Sequence, residues 1–212
     1  MKNSILAAVV LVACAGCAAP ERSRALNDPA SPPLALVQQV CSNCHGLDGN
    51  APSPNFPRLA AQPPSYLVAQ LKAFRSHNRS DPAGFEYMWG LSRHLSDAQI
   101  DGIAAYFAAQ APAPNPSRAD AALIARGREI FDKGVAAREL PACASCHGDR
   151  GQGREGFPRL AGQHADYVMK QLNVFYATEQ RPEGAVMKTI AHKLEAADMP
   201  AVAAYVQSQA GS

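Results

Sequence analysis

The sequence predicts an all-α protein built from two tandem domains. Apolar residues recur at helical spacing, as in 65–74 and 95–110, and no segment alternates in the way that β-strands do. Segments of the first half of the chain return in the same order in the second half. Between the halves, prolines at alternate positions in 112–117 keep the chain extended and exclude a helix there.

An internal repeat supports the division into two domains. Four segments match in order: CSNCHG and CASCHG at 41–46 and 143–148, FPRLA at 56–60 and 157–161, YLVAQLKAF and YVMKQLNVF at 66–74 and 167–175, and AAYF and AAYV at 104–107 and 203–206. Such a series indicates duplication of one domain. We predict domain one at 31–111 and domain two at 118–212, each with a core that is marginal without further support.

Each domain is predicted to contain a helix before its CxxCH segment, a helix after FPRLA and a last helix. The first helix lies within 32–40 in domain one and within 119–131 in domain two. The middle helix of domain one begins near Ser65, a candidate N-terminal cap, and its apolar residues share one face. The last helix of that domain follows Ser96 and Asp97, with Ile100, Ile103 and Phe107 on one face.

Composition and charge exclude several classes of protein. The chain has 212 residues, 47% of them hydrophobic, and a formal net charge of +2. These values are ordinary for a globular protein, and no basic stripe of the kind that binds nucleic acid is present. The body of the chain contains no run of eighteen apolar residues, so no membrane-spanning helix is predicted there.

The N-terminal segment, MKNSILAAVVLVACAGCAAP, predicts export. A lysine, a short apolar run and small residues form a signal peptide at 1–17, followed by an unstructured tether at 18–30. LVAC resembles a lipoprotein signal with Cys14 as the lipidated residue, and Cys17 is a second candidate. Two or more acyl chains on Cys14 would hold the protein on a membrane surface. The alternative is that both cysteines belong to a signal peptide that is discarded.

The repeated C-x-x-C-H segment is the attachment signature of haem c. Two cysteines three residues apart on a helical turn bond to the two vinyl groups of one porphyrin, and the following histidine faces the iron. We therefore predict two haems. Cys41, Cys44, Cys143 and Cys146 are the attachment residues, with His45 and His147 as proximal iron ligands.

Other functions of a C-x-x-C pair fit this sequence less well. A structural zinc site needs a second thiolate pair nearby, whereas here Cys44 and Cys143 are far apart and each pair has its own histidine. A thioredoxin-like redox pair needs neighbouring strands, which are not predicted. A disulfide within C-x-x-C is strained. All six cysteines are either in the signal region or in the two pairs, so none is left for another disulfide.

Methionines that repeat in register are the candidates for the sixth iron ligands. Met88 and Met187 occupy matching positions before the last helix of their domains, in what we predict to be loops. Met169 and Met199 have no methionine at the matching position and are predicted to pack in the core. No histidine outside the CxxCH segments repeats either. If the sixth ligand is a protein side chain, the haem transfers electrons, whereas an open iron binds gas or supports chemistry.

Further repeated residues are candidates for contacts around the haems. The carbonyls of Pro57 and Pro158 are placed to accept a hydrogen bond from the proximal histidines. Arg58 and Arg159 are candidates to pair with haem propionates, the alternative being that FPRL forms only a turn and an apolar contact. The remaining aromatic candidates are Tyr66 and Tyr167, predicted to be core residues with hydrogen-bonded hydroxyls, and Trp89, which would shield the first haem edge.

Residues 35–210 resemble dihaem cytochromes c of the cytochrome c4 family. The resemblance rests on CSNCHG, CASCHG, FPRLAAQ, FPRLAGQ, the QL..F helices, LSDAQIDGIAAYFA and GREIF…PACASCHG. It implies two class I cytochrome c domains wrapped around haem, with both irons ligated by His and Met. It also implies a periplasmic electron carrier between redox partner proteins such as a quinol-oxidising complex and a terminal oxidase.

Two other functions remain as alternatives at this stage. The first is a dihaem redox enzyme, peroxidase-like or acting on nitrite or thiosulfate, which would need one open or labile haem iron. The second is a dedicated cytochrome subunit of a larger oxidoreductase complex, or a gas sensor. An electron carrier needs no proton chemistry, and the sequence therefore offers no catalytic residue.

Overall fold

The structure, a computed structural model, describes residues 26–82 and 84–209. The signal region, Cys14, Cys17 and most of the tether lie outside these residues. Within them the fold is helical, with two isolated β-bridges and no strand, which confirms the all-α prediction. No helix in this part of the chain is long and apolar enough to cross a membrane.

Domain one contains five α-helices and two π-helical segments among its described residues. In chain order these are α1 (Pro33–Leu36), a π-helix (Val37–Cys41), α2 (Ser42–His45), α3 (Pro64–Arg75), a second π-helix (Gly84–Met88), α4 (Trp89–Ser92) and α5 (Asp97–Ala108). Ser96 caps α5 in a reciprocal capping box with Gln99. Ser65 is not a cap, because Pro64 fits the first turn and places Ser65 inside α3.

Domain two repeats this order with a longer first helix. Its elements are α6 (Ala121–Lys133), a 3-10 turn (Ala136–Arg138), α7 (Ala144–His147), α8 (Ala165–Ala177), a 3-10 turn (Pro182–Gly184), α9 (Ala185–His192) and α10 (Asp198–Ser208). The Asp120 side chain caps α6 by accepting from the Leu123 amide at 2.8 Å. The middle and last helices therefore recur where the repeat predicts them.

Each domain has its own apolar core where its first helix crosses its last. The core of domain one includes Leu36, Ile100 and Phe107, and that of domain two includes Phe131 and Val206. A glycine permits the close approach in both domains. A Cβ at Gly127 of α6 would lie 1.9 Å from the Ala201 carbonyl oxygen of α10, and one at Gly102 of α5 would lie 2.5 Å from Pro33 Cγ.

The domains meet at a buried polar cluster with approximate two-fold symmetry. It consists of Tyr66, Gln70, Arg79 and Asp81 from domain one and Tyr167, Gln171 and Arg181 from domain two. Arg79 donates to Tyr167 and Arg181 donates to Tyr66, so each arginine reaches the tyrosine of the other domain. The two tyrosines thus have the hydrogen-bonded hydroxyls expected from the sequence, and these bonds lie between the domains.

Arg79 and Asp81 form a buried ion pair within this interdomain cluster, and Arg181 pairs separately with Glu183. Arg79 Nε lies 2.8 Å from Asp81 Oδ1, and the Asp81 side chain is fully buried. Burial is the largest single influence and would raise the pKa of Asp81, but Arg79, the hydrogen bond from Gln171 and the charge of Arg181 together outweigh it and hold that pKa below its usual range. Asp81 therefore remains a carboxylate at neutral pH.

The proline-rich linker is fastened to both domains. The Ala113 amide donates to Asn50 Oδ1 of domain one at 2.8 Å. Asn115 Nδ2 donates to the Gly162 carbonyl of domain two at 3.0 Å. Because these contacts order the linker, it adds to the interdomain contacts instead of acting as a free hinge.

Candidate functional site

A short helical turn presents the two thiols and the histidine of each CxxCH segment. In domain one, Cys41 ends a π-helix and Cys44 lies in α2, and Gly46 then turns the chain away with φ 77°. Both thiols are half-buried and free of disulfides. Burial raises the pKa of Cys41 to about 11, so this thiol is neutral at physiological pH.

Domain two presents the same arrangement on α7. Cys143 precedes the helix, Cys146 lies within it, and Gly148 ends it with φ 86°. Both thiols are half-buried and free, and burial raises the pKa of Cys143 to about 11. Each domain therefore carries a pair of free thiols on one turn, which is the arrangement that thioether attachment of one haem requires.

The two CxxCH histidines are buried and oriented by backbone carbonyls. His45 Nδ1 donates to the Pro57 carbonyl and His147 Nδ1 donates to the Pro158 carbonyl, both at 2.9 Å. Burial lowers the pKa of both imidazoles, although the carbonyl contact opposes this shift. A neutral ring whose Nδ1 is held in this way has Nε2 available for a metal.

The repeated FPRL segments pack against these histidines. Phe56 lies edge-on to His45 and Phe157 lies edge-on to His147, each with ring centroids 6.2 Å apart. The carbonyl of a glycine at the start of each loop accepts hydrogen bonds from two backbone amides of the following segment. Gly49 binds the amides of residues 59 and 60, and Gly151 binds those of residues 160 and 161. The loop that carries each proline carbonyl is thereby fixed.

Met88 and Met187 lie on helices, whereas the sequence had predicted loops. Met88 ends the π-helix Gly84–Met88 and Met187 lies in the first turn of α9. Both are half-buried, and Met187 packs against the core of domain two. The sequence already placed Met199 in the core, and the structure buries it there, while Met169 is partly buried against the same core.

The remaining described histidines have other partners or lie at the surface. His77 packs between Phe85 and Trp89, with centroid distances of 5.6 and 5.3 Å. His164 is buried between the domains, and its Nε2 donates to the Ala51 carbonyl at 2.7 Å. His192 stacks on a tyrosine, and His94 is exposed. Trp89 is half-buried and also contacts Arg93 through its ring face.

Arg58 and Arg159 lie at the interdomain surface. Both side chains are buried, and burial lowers the pKa of both guanidinium groups, with repulsion from Arg58 adding to the effect at Arg159. Arg58 donates to the Gly162 carbonyl of domain two at 2.9 Å. Gln62 and Gln163, which end FPRLAAQ and FPRLAGQ, meet these arginines across the interface. Their repetition in both motifs was a signal that sequence reasoning did not use.

The donor set fits haem c better than a protein-ligated metal or a redox disulfide. Each domain supplies two free thiols and one histidine whose pKa is lowered by burial, and the two thiol pairs lie in separate domains. Among residues 26–82 and 84–209, no group of three or more His, Cys, Asp and Glu side chains is placed to hold a metal ion. The zinc interpretation therefore finds no support in the described chain.

Comparison with known proteins gives a consistent result. The sequence model of the family described as Cytochrome c matches residues 34–110 and 124–210. The chain belongs to the cytochrome c family. Cytochrome c4 of Pseudomonas aeruginosa is 42% identical over 172 residues, which are 79% of this chain and 83% of that protein. The solved structure of reduced recombinant cytochrome c4 from Pseudomonas stutzeri has a TM-score of 0.75 at 36% identity, and covers 86% of this chain and 99% of that one.

These relatives establish the kind of cytochrome as well as the family. The chain is a dihaem electron-transfer cytochrome of the cytochrome c4 type, with tandem cytochrome c domains that each carry one covalently bound haem c. A further relative is the thiosulfate dehydrogenase electron acceptor of Thiomonas intermedia. It is 33% identical over 187 residues, which are 85% of this chain and 82% of that protein.

Proposed function

We propose that the chain is an exported electron carrier whose two haem irons are both ligated by His and Met. His45 and Met88 would hold the iron in domain one, and His147 and Met187 would hold it in domain two. The observation that carries this proposal is the matched pair of histidines, each buried and held through Nδ1 with Nε2 available. The two half-buried methionines stand at matching positions before α5 and α10.

The bound haems supply one-electron oxidation and reduction, and the protein residues hold and protect them. Cys41, Cys44, Cys143 and Cys146 attach the porphyrins. The proline carbonyls fix the histidine rings and raise the basicity of the imidazoles. Met88 and Met187, as ligands, would block the remaining side of each iron and would favour its reduced state relative to a second histidine. The expected result is reversible electron transfer without a catalytic side chain.

Arg58 and Arg159 are proposed to interact with haem propionates at the domain boundary. Each is buried, and burial lowers the pKa of each guanidinium. A nearby anion would offset the cost of two buried like charges. Arg58 also binds the Gly162 carbonyl, so its side chain has a role between the domains in addition to the proposed one.

Location and partners follow from the export signal and the family. We propose that residues 1–17 direct the chain to the periplasm and that Cys14 anchors it to the membrane surface through lipid. Redox partners would be a quinol-oxidising complex as donor and a terminal oxidase as acceptor. Cys14→Ser should release the holoprotein into the soluble periplasmic fraction, and unchanged fractionation would contradict the anchor.

A second candidate donor is a thiosulfate-oxidising enzyme. The relative from Thiomonas intermedia bears the name of an electron acceptor for such an enzyme. The solved thiosulfate dehydrogenase from Marichromatium purpuratum also resembles this chain, with a TM-score of 0.71 at 34% identity. The match spans 90% of this chain and 40% of the solved thiosulfate dehydrogenase chain. Under this alternative the chain remains an electron carrier and only its donor differs.

The near-infrared spectrum of the oxidised holoprotein tests the ligation. Iron–methionine coordination gives a sulfur-to-iron charge-transfer band that can be quantified per haem. We expect two equivalents in the wild type, one in Met88→Ala, and two in the control Met169→Leu. One equivalent in the wild type with a high-spin second iron would refute the proposal and favour a dihaem enzyme.

A further inference from the structure

One peptide group links the proximal histidine of domain one to domain two. The carbonyl of Pro57 accepts from His45 Nδ1 at 2.9 Å. The amide N–H of the same peptide group belongs to Arg58, and it donates to Gln163 Oε1 of domain two at 2.8 Å. His45 and the side chain of Gln163 are therefore hydrogen-bonded to opposite ends of one amide.

The same linkage runs in the opposite direction from domain two. The carbonyl of Pro158 accepts from His147 Nδ1 at 2.9 Å, and the amide of Arg159 donates to Gln62 Oε1 at 3.0 Å. Two independent linkages with the same geometry show that the arrangement belongs to the duplicated design. It joins the histidine environment of each domain to a glutamine of the other.

The orientation of both glutamine amides is determined by their partners. Gln163 Nε2 donates to the Arg58 carbonyl at 3.0 Å, and Gln62 Nε2 donates to the Arg159 carbonyl at 2.8 Å. A backbone N–H only donates and a backbone carbonyl only accepts, so each side-chain oxygen faces the N–H. Each glutamine is about 5% exposed, which keeps water from competing for these bonds.

Hydrogen bonds at the two ends of one amide strengthen each other. When the N–H donates, the carbonyl oxygen of that amide becomes more negative and a better acceptor. A stronger acceptor at Nδ1 makes the imidazole a more basic ligand, which stabilises oxidised iron relative to reduced iron. Loss of the glutamine oxygen should therefore raise the reduction potential of the haem in the opposite domain.

We propose that Gln163 and Gln62 are positioning residues that tune the reduction potential of the haem in the other domain. Gln163 acts on the first haem through the peptide between Pro57 and Arg58, and Gln62 acts on the second through the peptide between Pro158 and Arg159. This inference rests on the proposed ligation by His45 and His147 and is independent of which residue is the sixth ligand. Each haem potential then depends on contact between the domains.

The test is Gln163→Met in the holoprotein, a substitution of similar volume that removes both hydrogen bonds to Arg58 and the one from the His164 amide. Stepwise oxidation followed through assigned haem methyl resonances gives the potential of each haem separately. At a fixed applied potential, we expect the ratio of reduced to oxidised first haem to rise up to about twofold, with a smaller change at the second haem. Gln62→Met should reverse this pattern.

The Nδ1–H proton resonance of the proximal histidine gives a readout that does not depend on the potential. In Gln163→Met we expect the His45 Nδ1–H resonance to move upfield and the His147 resonance to stay. If Gln163→Met yields no holoprotein, Gln163→Glu retains an acceptor for the Arg58 amide. Because a carboxylate is a stronger acceptor, the His45 resonance should then move downfield, and no movement would overturn the proposal.

His164→Ala is the control for general loosening of the interface. It removes the adjacent interdomain bond to the Ala51 carbonyl but not the Gln163 side-chain contacts with Arg58. The proposal fails if His164→Ala shifts the first haem as Gln163→Met does, or if Gln163→Met shifts both haems equally. Absence of NMR contacts between His45 and haem in the wild type would overturn both the ligation and this inference. If those contacts are present in the wild type but the His45 Nδ1–H resonance does not move in Gln163→Met, only this inference is overturned.

Discussion

Replacing Arg79 with methionine should separate the contribution of the buried interdomain ion pair from that of ordinary packing. Arg79 is 4% exposed and its partner Asp81 is fully buried, so Arg79→Met leaves a buried carboxylate without the guanidinium 2.8 Å away. Breaking a buried pair on one side costs about 3–5 kcal/mol of unfolding free energy. The loss can be measured by guanidinium chloride unfolding of the holoprotein at pH 7, followed by circular dichroism.

The loss of unfolding free energy in Arg79→Met should change with pH in one direction. The pKa of Asp81 is depressed in the folded protein, so its stabilisation is present above the unfolded pKa of about 3.9 and is lost as pH falls through the lower folded value. The difference in unfolding free energy between wild type and Arg79→Met should therefore shrink in acid.

Adding Asp81→Asn should recover part of the loss at pH 7, because the unpaired charge is removed. The exposed pair Arg128–Asp132 provides the control, and Arg128→Met should cost much less. A loss below about 1 kcal/mol at pH 7, or an undiminished loss in acid, would refute the argument.

Three further changes test the fold and the haem attachment. Gly127→Ala should lower the unfolding free energy by about 1–3 kcal/mol, because its Cβ would meet the Ala201 carbonyl. The control Gly90→Ala, whose Cβ would have no atom within 4 Å, should not destabilise the protein. Equal thermal unfolding midpoints for the two variants would contradict this. Ser96→Ala should cost about 1 kcal/mol in urea unfolding through loss of the α5 cap, and an unchanged midpoint would exclude that role. Cys143→Ala should leave one haem held by a single thioether, seen as an altered pyridine haemochrome spectrum, and a wild-type spectrum would count against the assigned attachment.

The repeat in the sequence was sufficient to predict the helices and the backbone partners of the CxxCH histidines. Segments with helical spacing became α3, α5, α8 and α10, because a face of apolar residues can be recognised without knowing its partner. The spacing from His45 to Pro57 predicted a contact that the structure places at 2.9 Å. Both features depend on residues close in sequence or on a motif with one known use.

Features that depend on the approach of the two domains were not predictable in the same way. Gln62 and Gln163 are neither charged nor metal ligands, and only the fold shows that they meet the opposite backbone. The π-helical turn that ends at Met88 was expected to be a loop, since segment 76–84 contains Gly, Pro, Asn and Ser, which are typical of turns. For the glutamines, the contact between the domains decided the outcome.

The two helix crossings differ in which helix carries the glycine, so the duplicated halves are not interchangeable at this contact. At one crossing the glycine is on the last helix, where Gly102 receives Pro33, and at the other it is on the first helix, where Gly127 receives Ala201. Gly102 and Ala201 occupy matching positions of the repeat. A hybrid of α1 with α10 would press a proline ring against an alanine, and a hybrid of α6 with α5 would place two glycines together and leave a gap. Each first helix therefore fits the last helix of its own domain better than the matching helix of the other domain, which disfavours mispairing between the two halves.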